Sequence, residues 1–248
     1  MPDNSYTHRV IEAHNLYSAH LSEERTIKVY LPPDYDANRA YPVVYCHDGM
    51  EFFTHGRIAT IANKLIAEGR LEPLFIVGIA VKKSTRTEDY APTGERHVEY
   101  VKFVVDECMP FVEKKYSVMA DVNHRFMAGI SLGAAATMSI HLRYPELFSR
   151  LLLFSGAFYD EVRDTLKKQM QLRELHAFMT VGRQETSVET PQGPYDFYRA
   201  NQHVRDILRL RQAKVAYQEA NGTHIWGFWQ TQLPDALSWL QTELAAAE

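Results

Sequence analysis

Short apolar runs alternate along the chain with stretches of helical spacing. Residues 7–14 and 25–31 place apolar and polar side chains at alternate positions, the pattern of a half-exposed antiparallel strand pair, and Pro32-Pro33 ends the second. Residues 42–47, PVVYCH, form a compact buried strand stopped by the turn pair Asp48-Gly49, and 74–81, LFIVGIAV, is the most hydrophobic strand in the chain. A helix is expected over 58–68, a polar loop over 82–94, and an amphipathic helix over 95–116. The last carries Val101, Val104, Val105, Cys108 and Val112 on its apolar face, with a kink expected at Pro110. Further strands are expected at 125–129, 151–155, 176–181 and 214–219. Further helices are expected over 132–142, within 159–172, over 195–210 and over 232–245, with a loop over 182–194.

Two antiparallel strands followed by strand-helix alternation predict an α/β protein. Its eight-stranded sheet is mostly parallel, with an antiparallel N-terminal pair and helices on both faces. In such a sheet a ligand binds beyond the C-terminal ends of the strands, which is where chemistry should be sought. The chain has 248 residues and no Pro/Gly/Ser-rich linker, charge block or low-complexity segment, so residues 1–248 are read as a single domain.

Composition narrows the classes. Hydrophobic residues at 46% and charged residues at 23% are those of an ordinary globular protein, and a formal charge of −4 gives no reason to expect nucleic acid or an anionic membrane as partner. The N-terminal MPDNSYTHRV lacks the apolar run of a signal peptide, and no apolar stretch is long enough to span a bilayer; a cytoplasmic location is the default expectation. Cys46 and Cys108 are far apart in sequence and expected to be free buried thiols. The 11 histidines form no H-x-x-x-H or H-x-H pair, so no metal site is expected.

Candidate chemistry centres on residues 124–144, HRFMAGISLGAAATMSIHLRY. A G-x-S-x-G sequence between a strand and a helix is a nucleophile elbow: Gly129 and Gly133 let the two elements approach, and Ser131 is presented at a helix N-terminus. A serine hydroxyl needs a base held by a third group. His224 follows the strand 214–219 through Asn221-Gly222-Thr223 and is the candidate base. Glu185, just past the strand 176–181, is the favoured acid, so that Ser131, Glu185 and His224 occur in the chain order of this arrangement; Glu189 and Asp196 remain alternatives. Acyl transfer also needs oxyanion donors. The Leu132 N–H is the expected first, and the second is assigned to the Met50 N–H, with Gly49 turning the backbone toward the site.

With these residues placed, the chain resembles the esterase family of α/β-hydrolases that includes esterase D, feruloyl esterases and the siderophore esterases that open enterobactin-like trilactones. The likeness runs through Tyr30–Tyr35 (YLPPDY), His47-Asp48-Gly49, Arg86–Tyr90 (RTEDY), the GISLG elbow, Pro145–Phe148 and Ser155-Gly156. It continues to Gly182–Glu185 (G-x-x-E) and closes with Gly222–Trp226 (G-x-H-x-W). Ala134 departs from the glycine that often follows the elbow, and the acid position varies within the family. The resemblance implies an α/β-hydrolase fold and a cofactor-free serine carboxylic-ester hydrolase working through an acyl-enzyme. It places Ser131 and His224 at the family's catalytic positions.

A small-molecule ester is the expected partner. Substrate contacts are assigned to Phe52, Arg86, Tyr90 and Trp226, with Phe53, Phe158, Tyr159, Phe228 and Trp229 as further aromatic candidates and Lys82 and Lys83 as further cations. Core packing and an exposed basic loop are the plainer readings of these residues. A siderophore trilactone, a thioester, acyl transfer to another acceptor, and a catalytically inactive binding module on the same fold are the alternatives; homo-oligomerisation is left open.

Overall fold

The structure, a computed structural model, describes residues 8–247. Thr7, assigned above to the first strand, and most of the N-terminal segment read as lacking a signal peptide lie outside the described residues.

Among the described residues a single sheet of eight strands runs in the order β1-β2-β4-β3-β5-β6-β7-β8. The strands are β1 (Val10–Ser18), β2 (Glu23–Leu31), β3 (Val43–Cys46), β4 (Phe75–Ile79), β5 (Arg125–Ile130), β6 (Arg150–Phe154), β7 (His176–Gly182) and β8 (Lys214–Ala220). β2 pairs antiparallel with both β1 and β4, and every pairing from β4 through β3 to β8 is parallel. The expected fold class is the observed one.

The central strands read as unbroken apolar runs because both of their faces are covered. Alternate residues enter opposite cores. Val43, Tyr45, Met127, Leu151 and Leu153 pack on one side. There they meet α6 (Leu132–Arg143), α7 (Asp160–Lys168), α8 (Phe197–Leu210) and the helical segment before β5. Val44, Cys46, Phe126, Ala128, Leu152 and Phe154 pack on the other side. Their partners are α1 (Gly49–Thr54), α2 (Ile58–Ala67) and α9 (Trp226–Ala245). Both cysteines are buried free thiols, one in each core.

Four local expectations need correction. The first turn of chain after β3 is helical, not an open loop: Asp48 takes a left-handed conformation (φ 52°) and α1 starts at once. Gly49 does not supply that turn. A Cβ there would lie 2.2 Å from the backbone of Gly78, so its role is to let α1 sit against β4. The polar loop 82–94 contains α3 (Arg86–Tyr90), whose Asp89 and Tyr90 are buried. The helix expected over 95–116 is α4 (His97–Lys102), a π-helical turn (Phe103–Cys108) and α5 (Met109–Lys115). Pro110 falls in the first turn of α5, where a missing N–H costs least, directly after the widened turn in which the Met109 N–H bonds Val104. The last helix begins at Trp226 rather than near 232 and carries Pro234 inside it. Burial of Phe228, Trp229, Leu233, Leu237 and Leu240 along one side overrides the local propensity. Among the described residues no helix is long and apolar enough to cross a membrane.

Candidate active site

β5 enters the elbow fully buried, and the chain reverses at Ser131 with φ 56° and ψ −121°, a conformation that costs a non-glycine residue on the order of 1–3 kcal/mol. The surroundings over-determine it. The Ser131 N–H bonds the Phe154 carbonyl at 3.0 Å and its own carbonyl accepts from Ala157 at 2.9 Å, tying the turn to β6 on both sides. A Cβ on Gly129 would stand 2.2 Å from the Gly133 oxygen, and one on Gly133 would stand 3.1 Å from the Asp48 carboxylate. Only glycine fits the first of these positions without moving backbone.

The loops after β7 and β8 close on each other. Arg183 N–H bonds Ala220 O at 2.9 Å, Gln184 N–H bonds Gly222 O at 3.1 Å, and a Cβ on Gly182 would meet Gly222 O at 2.3 Å. This pairing brings Glu185 beside His224. Glu185 Oε2 lies 2.7 Å from His224 Nδ1, and His224 Nε2 lies 3.0 Å from Ser131 Oγ. A carboxylate only accepts, so Nδ1 carries the proton and Nε2 is left as the acceptor facing the serine hydroxyl. The other carboxylate oxygen accepts from Ser155 Oγ at 2.7 Å and from the Gly182 N–H at 2.8 Å. Glu185 is fully buried, while the imidazole keeps 14% of its surface exposed. Phe197 covers one face of the ring (centroids 4.0 Å apart) and Trp229 meets it edge-on at 4.9 Å. The other two acid candidates lie elsewhere: Glu189 is exposed, and Asp196 caps α8 by accepting from the Arg199 N–H at 2.8 Å.

Ser131 and His224 open onto a cavity of about 630 Å³. Its apolar wall is Val81, Ile130, Ile225, Trp226 and Trp229, and its polar wall is Asp48, Glu51, His55, Lys83 and Arg86. Arg86 lies against Asp48 through two hydrogen bonds, Nε to Oδ1 at 2.6 Å and NH2 to Oδ2 at 2.8 Å. Burial opposes the guanidinium charge, but these bonds and the Asp48 charge outweigh it and raise the Arg86 pKa above its ordinary value.

Of the four assigned substrate contacts, Arg86 and Trp226 line the cavity. Phe52 and Tyr90 do not: both are wholly buried, Phe52 packing behind Trp226 and Tyr90 accepting the Asp48 N–H through its hydroxyl at 2.8 Å. They form the layer that supports the wall. Met50 is in the first turn of α1, where N–H groups lack intrahelical acceptors, and Leu132 occupies the same place in α6. Sequence reasoning assigns no role to four polar participants: Asp48, Glu51, His55 and Ser155. Ser155 directly follows β6 and Asp48 lies two residues past β3, at the end of the sheet where ligands bind, which is the signal that marks them. Lys82, by contrast, pairs with Glu23 away from the cavity.

A sheet of this order, with a strained serine between the fifth strand and the following helix, defines an α/β-hydrolase. The family model described as "Putative esterase" matches residues 18–240, and the chain belongs to this family. It is similar to the uncharacterized protein YjcH of Bacillus subtilis, 28% identical over 92% of this chain and 95% of that one. Among solved structures it resembles a ferulic acid esterase, with a TM-score of 0.82, 19% identity, and coverage of 95% of this chain and 99% of that one. It also resembles the enterobactin esterase of Shigella flexneri, with a TM-score of 0.82 and 19% identity over 95% of this chain, spanning 60% of that chain. Membership of the family supports a carboxylic ester hydrolase.

Proposed function

We propose that the protein hydrolyses carboxylic esters through an acyl-enzyme formed on Ser131. The observation that carries this reading is the unbroken chain Ser131 Oγ, His224, Glu185, with contacts of 3.0 and 2.7 Å, at the floor of an open cavity. His224 Nε2 takes the hydroxyl proton as Ser131 attacks the carbonyl carbon, then returns it to the departing alcohol; a water molecule repeats the sequence to release the acid. Glu185 holds the imidazole in the tautomer that leaves Nε2 free and stabilises the imidazolium. The Leu132 and Met50 N–H groups, at the starts of two helices, receive the oxyanion, each donor contributing about 2.7–4 kcal/mol of transition-state stabilisation. No cofactor enters this sequence.

The cavity walls favour an ester of an aromatic acid over a long alkyl chain. Trp226 and Trp229 stand perpendicular with centroids 5.5 Å apart, offering a ring a face and an edge, and the Arg86 and Lys83 side chains across the cavity suit a phenolic or carboxylate oxygen. The ferulic acid esterase named above acts, by its name, on an ester of an aromatic acid.

The test is hydrolysis of p-nitrophenyl acetate, methyl ferulate and an enterobactin-type trilactone by wild type and Ser131→Ala, with fluorophosphonate labelling in parallel. Turnover and labelling in wild type, both lost in Ser131→Ala, support the reading. Unchanged turnover in Ser131→Ala refutes it. A wild type that neither turns over nor labels favours the binding-module alternative.

A further inference from the structure

Ser155 is a buried hydroxyl that the proposed reaction does not use. It directly follows β6, has no exposed surface, and is held at φ 44°, in the left-handed region that a serine seldom occupies. Its Oγ lies 2.7 Å from Glu185 Oε1 and 2.8 Å from Trp229 Nε1. An indole nitrogen can only donate, so Ser155 must accept from Trp229, and its own proton is directed at the carboxylate. Trp229 in turn packs edge-on against the His224 ring. The contacts form a closed circuit from base to acid to Ser155 to Trp229 and back to the base.

The backbone around Ser155 is equally constrained. The Ser155 N–H bonds Thr180 O at 2.7 Å on β7, and the Ala157 N–H bonds the Ser131 carbonyl at 2.9 Å. Between them Gly156 is clamped by the fully buried Asn201, which accepts the Gly156 N–H and donates to its carbonyl, both at 3.0 Å. One three-residue turn therefore bonds the backbone of the nucleophile at one end and the carboxylate of the acid at the other.

We infer that Ser155 is a positioning residue of the esterase. Its hydroxyl, oriented by the Trp229 indole, holds the Glu185 carboxylate in the rotamer that meets His224 Nδ1, and the 155–157 turn sets the separation of acid and nucleophile. This rests on the Ser-His-Glu reading. A glutamate has three rotatable bonds, and Oε1 is anchored by two donors, Ser155 and Gly182. Removing one leaves Oε1 on a single donor, the Gly182 N–H, and the carboxylate less firmly fixed against the imidazole. Ser155 is not among the residues lining the cavity, so the loss should fall on kcat and spare KM.

The experiment measures kcat and KM for p-nitrophenyl acetate in wild type, Ser155→Ala, Ser155→Gly and Trp229→Phe, each normalised to active sites titrated with fluorophosphonate. Ser155→Gly removes the hydroxyl and substitutes a residue type that accepts the positive φ, separating side chain from backbone strain. Trp229→Phe keeps an aromatic ring beside His224 and removes the indole donor, and because Trp229 also lines the cavity it is read on kcat alone. Both Ser155 variants should lose about tenfold or more in kcat, the scale of a hydrogen bond to a charged group, with KM within about twofold; Trp229→Phe should lose less. In a Glu185→Gln background, Ser155→Ala should cost less than about twofold, because the group it acts through is already disabled. The inference is overturned if kcat per titrated site stays within about twofold of wild type in both Ser155 variants, or if the Ser155 loss is undiminished in the Glu185→Gln background. Should Ser155→Ala fail to fold, Ser155→Gly decides. If Ser131→Ala keeps its activity, the triad reading falls and this inference with it; an inactive Ser131→Ala beside fully active Ser155 variants sinks the inference alone.

Discussion

Replacing Glu185 with glutamine tests the site without changing its shape. Oε1 of the native side chain accepts from both the Gly182 N–H (2.8 Å) and the Ser155 hydroxyl (2.7 Å). An amide NH2 group placed there would confront the backbone donor, so the glutamine oxygen takes the Oε1 position and its NH2 group faces His224 Nδ1. That nitrogen must then accept, which moves the ring proton to Nε2, and Nε2 can no longer take the proton of Ser131. The comparable tautomer error in the trypsin-like triad lowers kcat about 10⁴-fold, or about 5 kcal/mol of transition-state stabilisation. We expect Glu185→Gln to lose about that much in kcat with KM little changed, because the carboxylate is wholly buried and no substrate reaches it. Stopped or steady-state hydrolysis of p-nitrophenyl acetate near neutral pH, with circular dichroism to verify the fold, measures it. Glu189→Gln and Asp196→Asn serve as controls; Asp196→Asn keeps a good helix cap, and both should retain near wild-type kcat. A Glu185→Gln enzyme with more than a tenth of wild-type kcat would refute the assignment of the acid.

Three further outcomes are expected. His47, completely buried at the end of β3, has its pKa lowered from 6.5 to about 3 by burial and by the nearby charges of His97 and Arg86. The unfolded chain therefore binds the proton more readily, and stability is lost as pH falls below 6.5 toward 3, by about 3 kcal/mol at pH 4 from this group alone. Denaturant unfolding between pH 7 and 4 should show that slope, and His47→Gln should flatten it; equal slopes would contradict the account. Asp89→Ala removes one of the two carboxylates that lie 2.6 Å from NH2 of the buried Arg25, leaving Glu23 as the other, and should cost about 2–3 kcal/mol, on the order of 5–10 °C in Tm by thermal unfolding. A shift below about 2 °C would mean that Glu23 alone satisfies Arg25. Gly129→Ala puts a methyl 2.2 Å from the Gly133 carbonyl, so it should destabilise by about 2–3 kcal/mol and abolish most turnover; unaltered kcat and Tm would show that the elbow is looser than it is drawn.

What the sequence revealed, and what it hid, follows from the range of the forces involved. β3 to β7 were legible because burial on both faces writes an apolar run into each of them, β1 and β2 because their apolar and polar positions alternate, and Ser131 because its turn needs Gly129 and Gly133 at fixed spacing. The meeting of His224 and Glu185 beside Ser131 was legible because chain order places their loops at one end of the sheet. Local pattern misjudged α1, α3, the π-helical turn and the start of α9. Each is short or carries a glycine or proline, and each is held by packing against distant residues: α1 against Gly78, and α9 against the core beneath β5 and β6. The division between the cavity wall and the layer behind it was likewise hidden. Phe52 and Trp226 are both aromatic residues beside strand ends, and only the crossing of α1 with α9 puts one in the cavity and the other beneath it. The pairing of Asp48 with Arg86 and the bracket from Ser155 to Glu185 join residues 38 and 30 positions apart. Periodicity and propensity act over a few residues, and so they fixed the strands and most of the longer helices. Which side chains meet depends on how those elements close against one another, and that was decided only in the tertiary structure.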